Sequence, residues 1–188
     1  MRYLAADSET GGLDQNTHSI LTLYLAVLDE KFNVVSELDL KIKPDDGAPY
    51  IVTGEALAIN RIDLAKHDKE ASTVTDAATK IYYFLKKESS EGTDKLMFLG
   101  HNVSFDEGFI LSQLIKKKVW NLFVSYHKVD TVPVAQFLKL QGKIPKQTPL
   151  NLEKLAVALG IRVNRENLHT ARGDTLLCVE VLKAMLSL

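Results

Sequence analysis

The run ILTLYLAVL at Ile20–Leu28 constrains the fold of this chain more than any other segment. It is rich in residues that favour β-strands and is long enough to form a central strand of a sheet. The short apolar run Tyr3–Ala6 predicts a buried strand before it, and Gly11-Gly12 separates the two. After it, apolar and charged residues alternate over 37–43, which indicates a strand with one face in solvent. Short connections between these strands predict an antiparallel meander.

The rest of the chain alternates predicted strands and helices. Ser72 is predicted to cap a helix over 74–85, and the segments 88–94 and Gly142–Pro149 are predicted loops. A meander followed by such an alternation predicts an α/β fold whose mixed sheet is covered by helices. The other predicted strands are Lys95–Leu99 and Val124–Val129, and the other predicted helices are Phe105–Ile115, Val134–Leu140, Leu152–Leu159 and Ala171–Leu186.

Length and composition exclude several classes of protein. The chain has 188 residues, 46% of them hydrophobic and 25% charged, which predicts a single domain over 1–188. A net charge of -1 excludes a protein that coats long nucleic acids electrostatically. The single cysteine, Cys178, excludes a disulfide framework and a zinc site built on paired cysteines. No apolar run reaches the roughly 18 residues of a membrane span, and the N-terminus has no targeting signal, so we expect a cytoplasmic protein without membrane contact.

Asp7 and Glu9 follow the first predicted strand and stand two residues apart. Because side chains in a strand alternate with a period of two, both point to the same face. Neighbouring carboxylates repel each other unless a cation or a proton lies between them. The pair is therefore either a strand end in solvent or part of a metal site, and by itself it favours the first interpretation.

Two further clusters place acidic residues at the starts of predicted helices. Asp106 can simply interact favourably with a helix dipole there, and Asn102 can simply cap that helix. Asp174 lies four residues before Cys178 and so shares the inward side of the last helix. A buried carboxylate costs free energy unless it is paired or bound to a metal, and the sequence offers no cationic partner at that spacing. A ligand set made only of carboxylate oxygens favours Mg²⁺ or Mn²⁺ over zinc.

The acidic residues fall in three motifs, in this order: Asp7-x-Glu9, Asn102-x-x-Phe105-Asp106 and His169-x-Ala171-x-x-Asp174. Their order, and their strand and helix contexts, resemble the exonuclease motifs of the DEDDh family of 3′→5′ exonucleases. That family includes the proofreading subunit of bacterial replicative DNA polymerase, ribonuclease T and oligoribonuclease. The segment Val52–Ile62 also resembles the one that proofreading subunits carry after their third strand. The resemblance implies a ribonuclease H-like fold, with a mixed five-stranded sheet of three antiparallel and then two parallel strands, flanked by helices.

The resemblance also implies a catalytic role for each acidic residue. Asp7 would bridge two divalent cations, Mg²⁺ or Mn²⁺, as in two-metal phosphoryl-transfer sites. Glu9 and Asp174 would complete the site of the ion that binds the attacking water, and Asp106 would hold the second ion largely through water. His169 would be the general base, for which its ordinary pKa of roughly 6.5 is suitable.

The same resemblance implies how a 3′ end is bound. Thr10 and Gly11 would bind the terminal 3′-OH, and Leu13 would contact the terminal base. Asn102 and Phe105 match the family's contacts beneath the last two nucleotides. Core packing is the alternative role for Phe105 and, with less support beside two glycines, for Leu13.

The chain departs from the common family pattern after Glu9. Gly11 stands where a second threonine is frequent, which we expect to loosen the loop that binds the 3′ end. Oligoribonuclease typically has Leu-Glu-Met-Thr-Gly-Leu around its glutamate, whereas this chain has Ser8-Glu9-Thr10-Gly11-Gly12-Leu13. A dedicated dinucleotide-processing enzyme is therefore disfavoured.

Six lysines form the main basic concentration, and they either bind a nucleic-acid backbone or simply solvate a helix end and a loop. The near-neutral charge predicts a short footprint on single-stranded ends. DNA is favoured over RNA as the substrate, although no residue identifies a contact to the 2′-OH. The lysines are Lys116, Lys117, Lys118, Lys139, Lys143 and Lys146.

These patterns predict a metal-dependent 3′→5′ exonuclease that releases nucleoside 5′-monophosphates from single-stranded nucleic acid. The alternatives are an RNA-end trimming enzyme like oligoribonuclease or ribonuclease T, a non-catalytic module that binds nucleic-acid ends, and a ribonuclease H-like endonuclease. His169 and the loop Thr10–Leu13 argue against the endonuclease. We expect a stand-alone enzyme, with a homodimer as an option by analogy, because no tail follows the last helix to bind a polymerase partner.

Overall fold

The computed structural model describes residues 1–89 and 93–188, and their strands form one mixed sheet. The strands are β1 (Tyr3–Thr10), β2 (Ile20–Leu28), β3 (Val34–Lys43), β4 (Ser72–Thr73), β5 (Leu96–Gly100) and β6 (Val124–Asp130). Their order across the sheet is β4-β3-β2-β1-β5-β6. β1, β2 and β3 pair antiparallel, which confirms the predicted meander, and β5 runs parallel to both β1 and β6.

The sheet has six strands, so the prediction of five is wrong by one short edge strand. Ser72 and Thr73 pair in parallel with Ile42 and Lys43 at the end of β3. Ser72 therefore does not cap the next helix. The cap is Thr73, whose Oγ1 accepts a hydrogen bond from Asp76 N at 3.2 Å. A two-residue strand has no sequence period, and only its neighbour β3 defines it.

β1 continues four residues beyond the predicted end at Ala6. Asp7 lies opposite Tyr24 of β2, and Glu9 lies opposite Thr22. The carboxylates thus stand within the strand rather than after it, because backbone pairing with β2 outweighs the weak strand preference of acidic residues. A register shift between Glu9 and Thr10 then ends the regular pairing.

Eight helices cover the described part of the sheet. Ala171–Leu186 has the predicted bounds, and the predicted helix at Phe105 begins two residues earlier and ends in a π-helical turn over Ile110–Leu114. Three seven-residue helices were not predicted. Of the predicted loops, Gly142–Pro149 is confirmed, whereas residues 90–92 of the loop 88–94 lie outside the described residues. The helices are α1 (Gly54–Asn60), α2 (Leu64–Glu70), α3 (Val74–Glu88), α4 (Val103–Phe109), α5 (Lys117–Phe123), α6 (Thr131–Leu140), α7 (Leu152–Ala158) and α8 (Ala171–Leu186).

Two apolar cores lie on opposite faces of the sheet. One contains Leu4 and Ala6 of β1 together with residues of α3, α4 and α5. The other contains Ala5 of β1 together with residues of α6, α7 and α8. Because β1 alternates, Asp7 and Glu9 point to the side of α8, whereas Ser8 points to the side of α4. Within the described residues, no helix is long and apolar enough to cross a membrane.

Asp130 joins the end of β6 to two helices. Its Oδ1 accepts hydrogen bonds from Asn102 N at 2.9 Å and from Val132 N at 3.0 Å, and its Oδ2 accepts one from Val103 N at 3.1 Å. The side chain of Asn102 makes no capping bond itself, so its predicted role as the cap belongs to Asp130. One carboxylate therefore supplies the first turns of both α4 and α6 with acceptors.

We expect Asp130→Ala to lower the free energy of unfolding by about 2 kcal/mol, because three backbone N–H groups lose their acceptor. Asp130→Asn keeps one oxygen and is expected to lose about half of that. Urea denaturation measures both changes, and Glu30→Ala, at an exposed position, is the control. A loss below about 0.5 kcal/mol in Asp130→Ala would contradict this role.

Candidate active site

Three carboxylates converge where β1 meets the first turn of α8. One oxygen each of Asp7, Glu9 and Asp174 lies within 4.8 Å of the others. The strand period brings the first two to one face, and the packing of α8 on that face adds the third. The structure thus brings together three of the four acidic residues that the sequence predicts as metal ligands. Asp174 Oδ1 is buried and has no hydrogen-bond partner among the described residues.

This arrangement strongly disfavours three negative charges. Burial raises the pKa of Asp7 well above its usual range, and the charges of Asp106, Glu9 and Asp174 add to the rise. Burial, with Asp174 and Asp106, raises the pKa of Glu9 to about 8. Burial also raises the pKa of Asp174, which His169 opposes. A divalent cation would relieve this repulsion and occupy the unpartnered oxygen, so these residues fit a Mg²⁺ or Mn²⁺ site.

Asp106 reaches the same strand from the opposite face of the sheet. Its Oδ1 accepts hydrogen bonds from Ser8 N at 2.9 Å and from Ser8 Oγ at 2.7 Å. Burial raises the pKa of Asp106 to about 6, although the bonds from Ser8 lower it. It lies close enough to raise the pKa of Asp7, but it is outside the group of three converging oxygens. The sequence analysis did not identify Ser8 as a site residue. Its position between Asp7 and Glu9 could have indicated that it lies close to the acidic residues.

His169 is half-buried immediately before α8, with a left-handed backbone at φ 60°. Thr170 caps α8, because its Oγ1 accepts from Gly173 N at 3.1 Å and donates to Asn167 O at 2.7 Å. Gly173 has no room for a side chain, since a Cβ there would lie 1.9 Å from Asn167 O. The loop is therefore packed tightly against α8, and this packing holds His169 near Asp174.

Two cavities adjoin Glu9. The first, the terminal cavity, measures about 430 Å³ and is lined by Glu9, Thr10, Leu13, His18, Ile59 and Phe105, among others. The second measures about 420 Å³ and is called the basic cavity for its cationic side chains, Lys41, Arg61, Lys66 and Arg172. The acidic residues Glu9, Asp39, Asp63 and Glu70 line it too, as does His169.

The terminal cavity brings together three of the five predicted substrate-binding residues, namely Thr10, Leu13 and Phe105. Leu13 is 86% exposed, so it is no core residue. Phe105 is half-buried, with its ring centroid 5.1 Å from that of Phe109, so it serves the core and lines the cavity as well. Asn102 is exposed at the start of α4 and does not line the cavity.

Gly11 lies beside the terminal cavity, and two backbone hydrogen bonds fix its position. Its N–H donates to Ser19 O at 2.7 Å, and its carbonyl accepts from Thr53 N at 2.7 Å. A Cβ at Gly11 would lie 2.3 Å from Ile51 O. The prediction that Gly11 loosens this loop is therefore wrong, because the missing side chain lets two backbone segments pack directly together.

The predicted lysines do not line either cavity within the described residues. Lys139 Nζ instead donates to Thr148 O at 2.6 Å, a structural contact. The cations nearest the acidic cluster come from β3, α2 and the start of α8, and sequence reasoning missed them. Arg172 could have been noticed from its place between His169 and Asp174. Its guanidinium lies 3.6 Å from Glu37 and 5.7 Å from the ring centroid of Tyr24.

Comparison with known proteins identifies relatives over nearly the whole chain. A family model described as "Exonuclease" matches residues 4–182. Ribonuclease T of Blochmanniella pennsylvanica is 28% identical over 182 residues, covering 92% of this chain and 78% of that protein. Ribonuclease T of Wigglesworthia glossinidia brevipalpis is 28% identical over 178 residues, covering 90% of this chain and 77% of that protein.

Solved structures of exonuclease I share the fold. One of them superposes with a TM-score of 0.74 at 19% identity and covers 99% of this chain and 41% of that one. Exonuclease I of E. coli in complex with a dT13 oligonucleotide superposes with a TM-score of 0.71 at 19% identity, over 97% of this chain and 40% of that one. The chain thus spans about two fifths of the length of these exonuclease I chains.

We expect the metal-free protein to lose stability as pH rises from about 4.5 to about 8. The pKa of Glu9 is raised from 4.5 to about 8 in the folded protein, so the folded state keeps a proton that the unfolded chain releases. The free energy of unfolding then falls with rising pH across that interval. Asp7 and Asp174, with raised pKa values, act in the same direction.

Thermal unfolding in EDTA between pH 5 and pH 8.5 measures this effect. Adding Mn²⁺ at pH 8 should raise Tm much more than at pH 5, because bound protons compete with the cation. Glu9→Gln should flatten the pH profile in EDTA and raise Tm at pH 8. An equally steep profile in wild type and variant would refute the assignment.

Proposed function

The chain belongs to the exonuclease family and is a 3′→5′ exonuclease of the DEDDh type, and we propose that it removes nucleotides from the 3′ ends of single-stranded nucleic acid in a metal-dependent reaction. The products are nucleoside 5′-monophosphates, and DNA is the preferred substrate. The observation that carries this proposal is the convergence of Asp7, Glu9 and Asp174, with one buried and unpartnered oxygen, beside a cavity that Glu9 also lines.

Asp7, Glu9 and Asp174 would hold one divalent cation, and Asp7 with Asp106 would hold a second. When bound, these cations supply Lewis-acid activation of a phosphoryl oxygen and of a water molecule. The raised pKa values of Asp7 and Glu9 support this role. They show that the carboxylates repel each other when no cation is present, and a bound cation would neutralise that repulsion. The hydrogen bonds from Ser8 hold Oδ1 of Asp106 and so orient this carboxylate.

His169 accepts the proton of the attacking water. It lines the basic cavity together with Glu9, so it is within the space that adjoins the acidic cluster. The tight packing of Gly173 on Asn167 holds its loop in place, which limits the reorganisation needed during proton transfer. The neutral imidazole is the form of this side chain that can accept a proton.

The terminal cavity selects a chain end. Its volume of about 430 Å³ falls within the usual range of small-molecule sites, about 300–1,000 Å³. Leu13, Ile59 and Phe105 offer apolar surface to a base, and Thr10 borders the place of the terminal sugar. Next to Thr10, Gly11 packs directly on the backbone of Ile51, which holds the segment that carries Thr10 and Leu13 in place.

Single-stranded DNA is supported by the fold shared with exonuclease I, which has been solved with a dT13 oligonucleotide. The extent of the family match supports one exonuclease domain over 1–188. Trimming of RNA ends is the second candidate, and the similarity to ribonuclease T over about nine tenths of the chain favours it.

A ladder assay tests the proposal. A 5′-labelled single-stranded DNA and the same sequence as RNA are each incubated with Mg²⁺, with Mn²⁺ and with EDTA. We expect metal-dependent ladders that shorten from the 3′ end, faster for DNA. Faster degradation of RNA would favour the second candidate, and internal cuts would refute the exonuclease.

Asp7→Asn should abolish cleavage in this assay and weaken Mn²⁺ binding, because it removes the charge shared by both cations. Asp76→Asn, at an exposed position on α3, is the matched control and should cleave like wild type. Full activity in Asp7→Asn would rule out the two-metal assignment.

His169→Ala should lower kcat by about 10²- to 10⁴-fold while leaving substrate affinity nearly unchanged, since the histidine acts on the proton and not on binding. The limb of the pH–rate profile that reports the base should disappear as well. His127→Ala, at an exposed position on β6, is the matched control. Equal rates in wild type and His169→Ala would remove His169 from the mechanism.

A further inference from the structure

Most polar side chains of the terminal cavity are already engaged within the protein. Ser8 Oγ donates to Asp106 at 2.7 Å, and Thr10 Oγ1 donates to Gly12 O at 2.7 Å. Thr53 Oγ1 accepts from Ala56 N at 3.1 Å. Asn60 Nδ2 donates to Thr10 O at 3.2 Å, and its Oδ1 accepts from Ile62 N. These groups build the wall of the cavity.

His18 differs from these side chains. Its Nδ1 accepts a hydrogen bond from Asp14 N at 3.1 Å. In the neutral ring the hydrogen therefore lies on Nε2, which has no hydrogen-bond partner among the described residues. The ring lies against Gly12, where a Cβ would come within 2.4 Å of His18 Cδ2. His18 lines the terminal cavity, and the second glycine of the pair makes room for its ring.

Side-chain hydrogen bonds from the π-helical turn after α4 hold the loop that carries His18. Gln113, in the π-helical turn after α4, donates through Nε2 to Gln15 O at 3.0 Å and to His18 O at 2.8 Å. Its Oε1 accepts from Ile20 N at 3.1 Å. Ser112 Oγ also donates to Gln15 O at 2.9 Å. The position of His18 is therefore set before a substrate arrives, which lowers the entropy lost on binding.

The surroundings of His18 suit a nucleobase. Leu13, Ile59 and Phe105 line the same cavity with apolar surface, on which the face of a base can pack. The edges of all bases carry hydrogen-bond acceptors, to which a ring N–H can donate. Glu55 also lines the cavity, but an ionised carboxylate can only accept.

We propose that His18 binds the base of the 3′-terminal nucleotide by donating a hydrogen bond from Nε2 to an acceptor on that base. This inference rests on the proposed exonuclease function and assigns a base-recognition residue to its terminal cavity. Gln113 is the positioning residue that fixes the loop carrying His18. His18 affects binding of the end and takes no part in the hydrolysis itself.

Steady-state kinetics on oligonucleotides that differ only in the terminal nucleotide test this role. His18→Phe keeps a ring but lacks the donor, and we expect it to raise KM about 3- to 10-fold with kcat within about twofold. His18→Gln retains an N–H donor and should recover most of the affinity. His127→Ala, a histidine outside both cavities, should leave KM unchanged.

Substrate analogues identify the partner of the donor. On an oligonucleotide with an abasic 3′ end, wild type and His18→Phe should have equal KM values. On an adenine-ended substrate, replacing one of the acceptors N1, N3 or N7 by C–H should raise the wild-type KM and have little effect on His18→Phe. An equal rise of KM for abasic and base-containing ends, no rise at all, or insensitivity of wild type to all three analogues would each overturn the proposal.

The same experiment separates this inference from the function on which it rests. If wild type degrades none of the substrates from the 3′ end, the proposed function fails. If wild type degrades them and His18→Phe matches it in KM, only the role of His18 fails.

Discussion

Repulsion among buried carboxylates is the interaction on which the rest of this structure depends. Burial raises the pKa values of Asp7, Glu9 and Asp174, and the charges of neighbouring carboxylates add to the rise at Asp7 and Glu9. An arrangement of this kind opposes folding unless protons or cations neutralise it. The remainder of the molecule must therefore hold these side chains together against an unfavourable electrostatic free energy, and the sheet does so.

β1 can carry such a cluster because it lies in the middle of the sheet. It pairs with β2 on one side and β5 on the other, and apolar cores cover both faces. The alternation of the strand sends Asp7 and Glu9 toward α8 and sends Ser8 toward Asp106 of α4. One strand thereby collects acidic residues from both of its faces at the same end. Asp130, at the end of β6, accepts hydrogen bonds from the start of α4 and so supports the position of Asp106.

The segment after Glu9, at the end of the central strand β1, forms part of the proposed binding site. Regular pairing stops between Glu9 and Thr10, and the chain turns through Gly11 and Gly12, each of which packs where a side chain would clash. Gln113 fastens the far end of the same loop. Glu9 of the acidic cluster and the surface proposed for the terminal base are therefore parts of one continuous segment of chain.

The sequence by itself determined the long elements and the acidic motifs. β2 and α8 have their predicted bounds because their apolar patterns extend over many residues, and Asp7 and Glu9 share a face because a strand has a period of two. Only the tertiary structure decided which groups meet. The edge strand at Ser72, the bonds from Ser8 to Asp106, the cap at Asp130 and the contact of His18 with Gly12 all join residues whose partners are set by packing. Local patterns record the preferences of neighbouring residues, whereas these contacts depend on how distant segments pack against one sheet, which no short window of sequence contains.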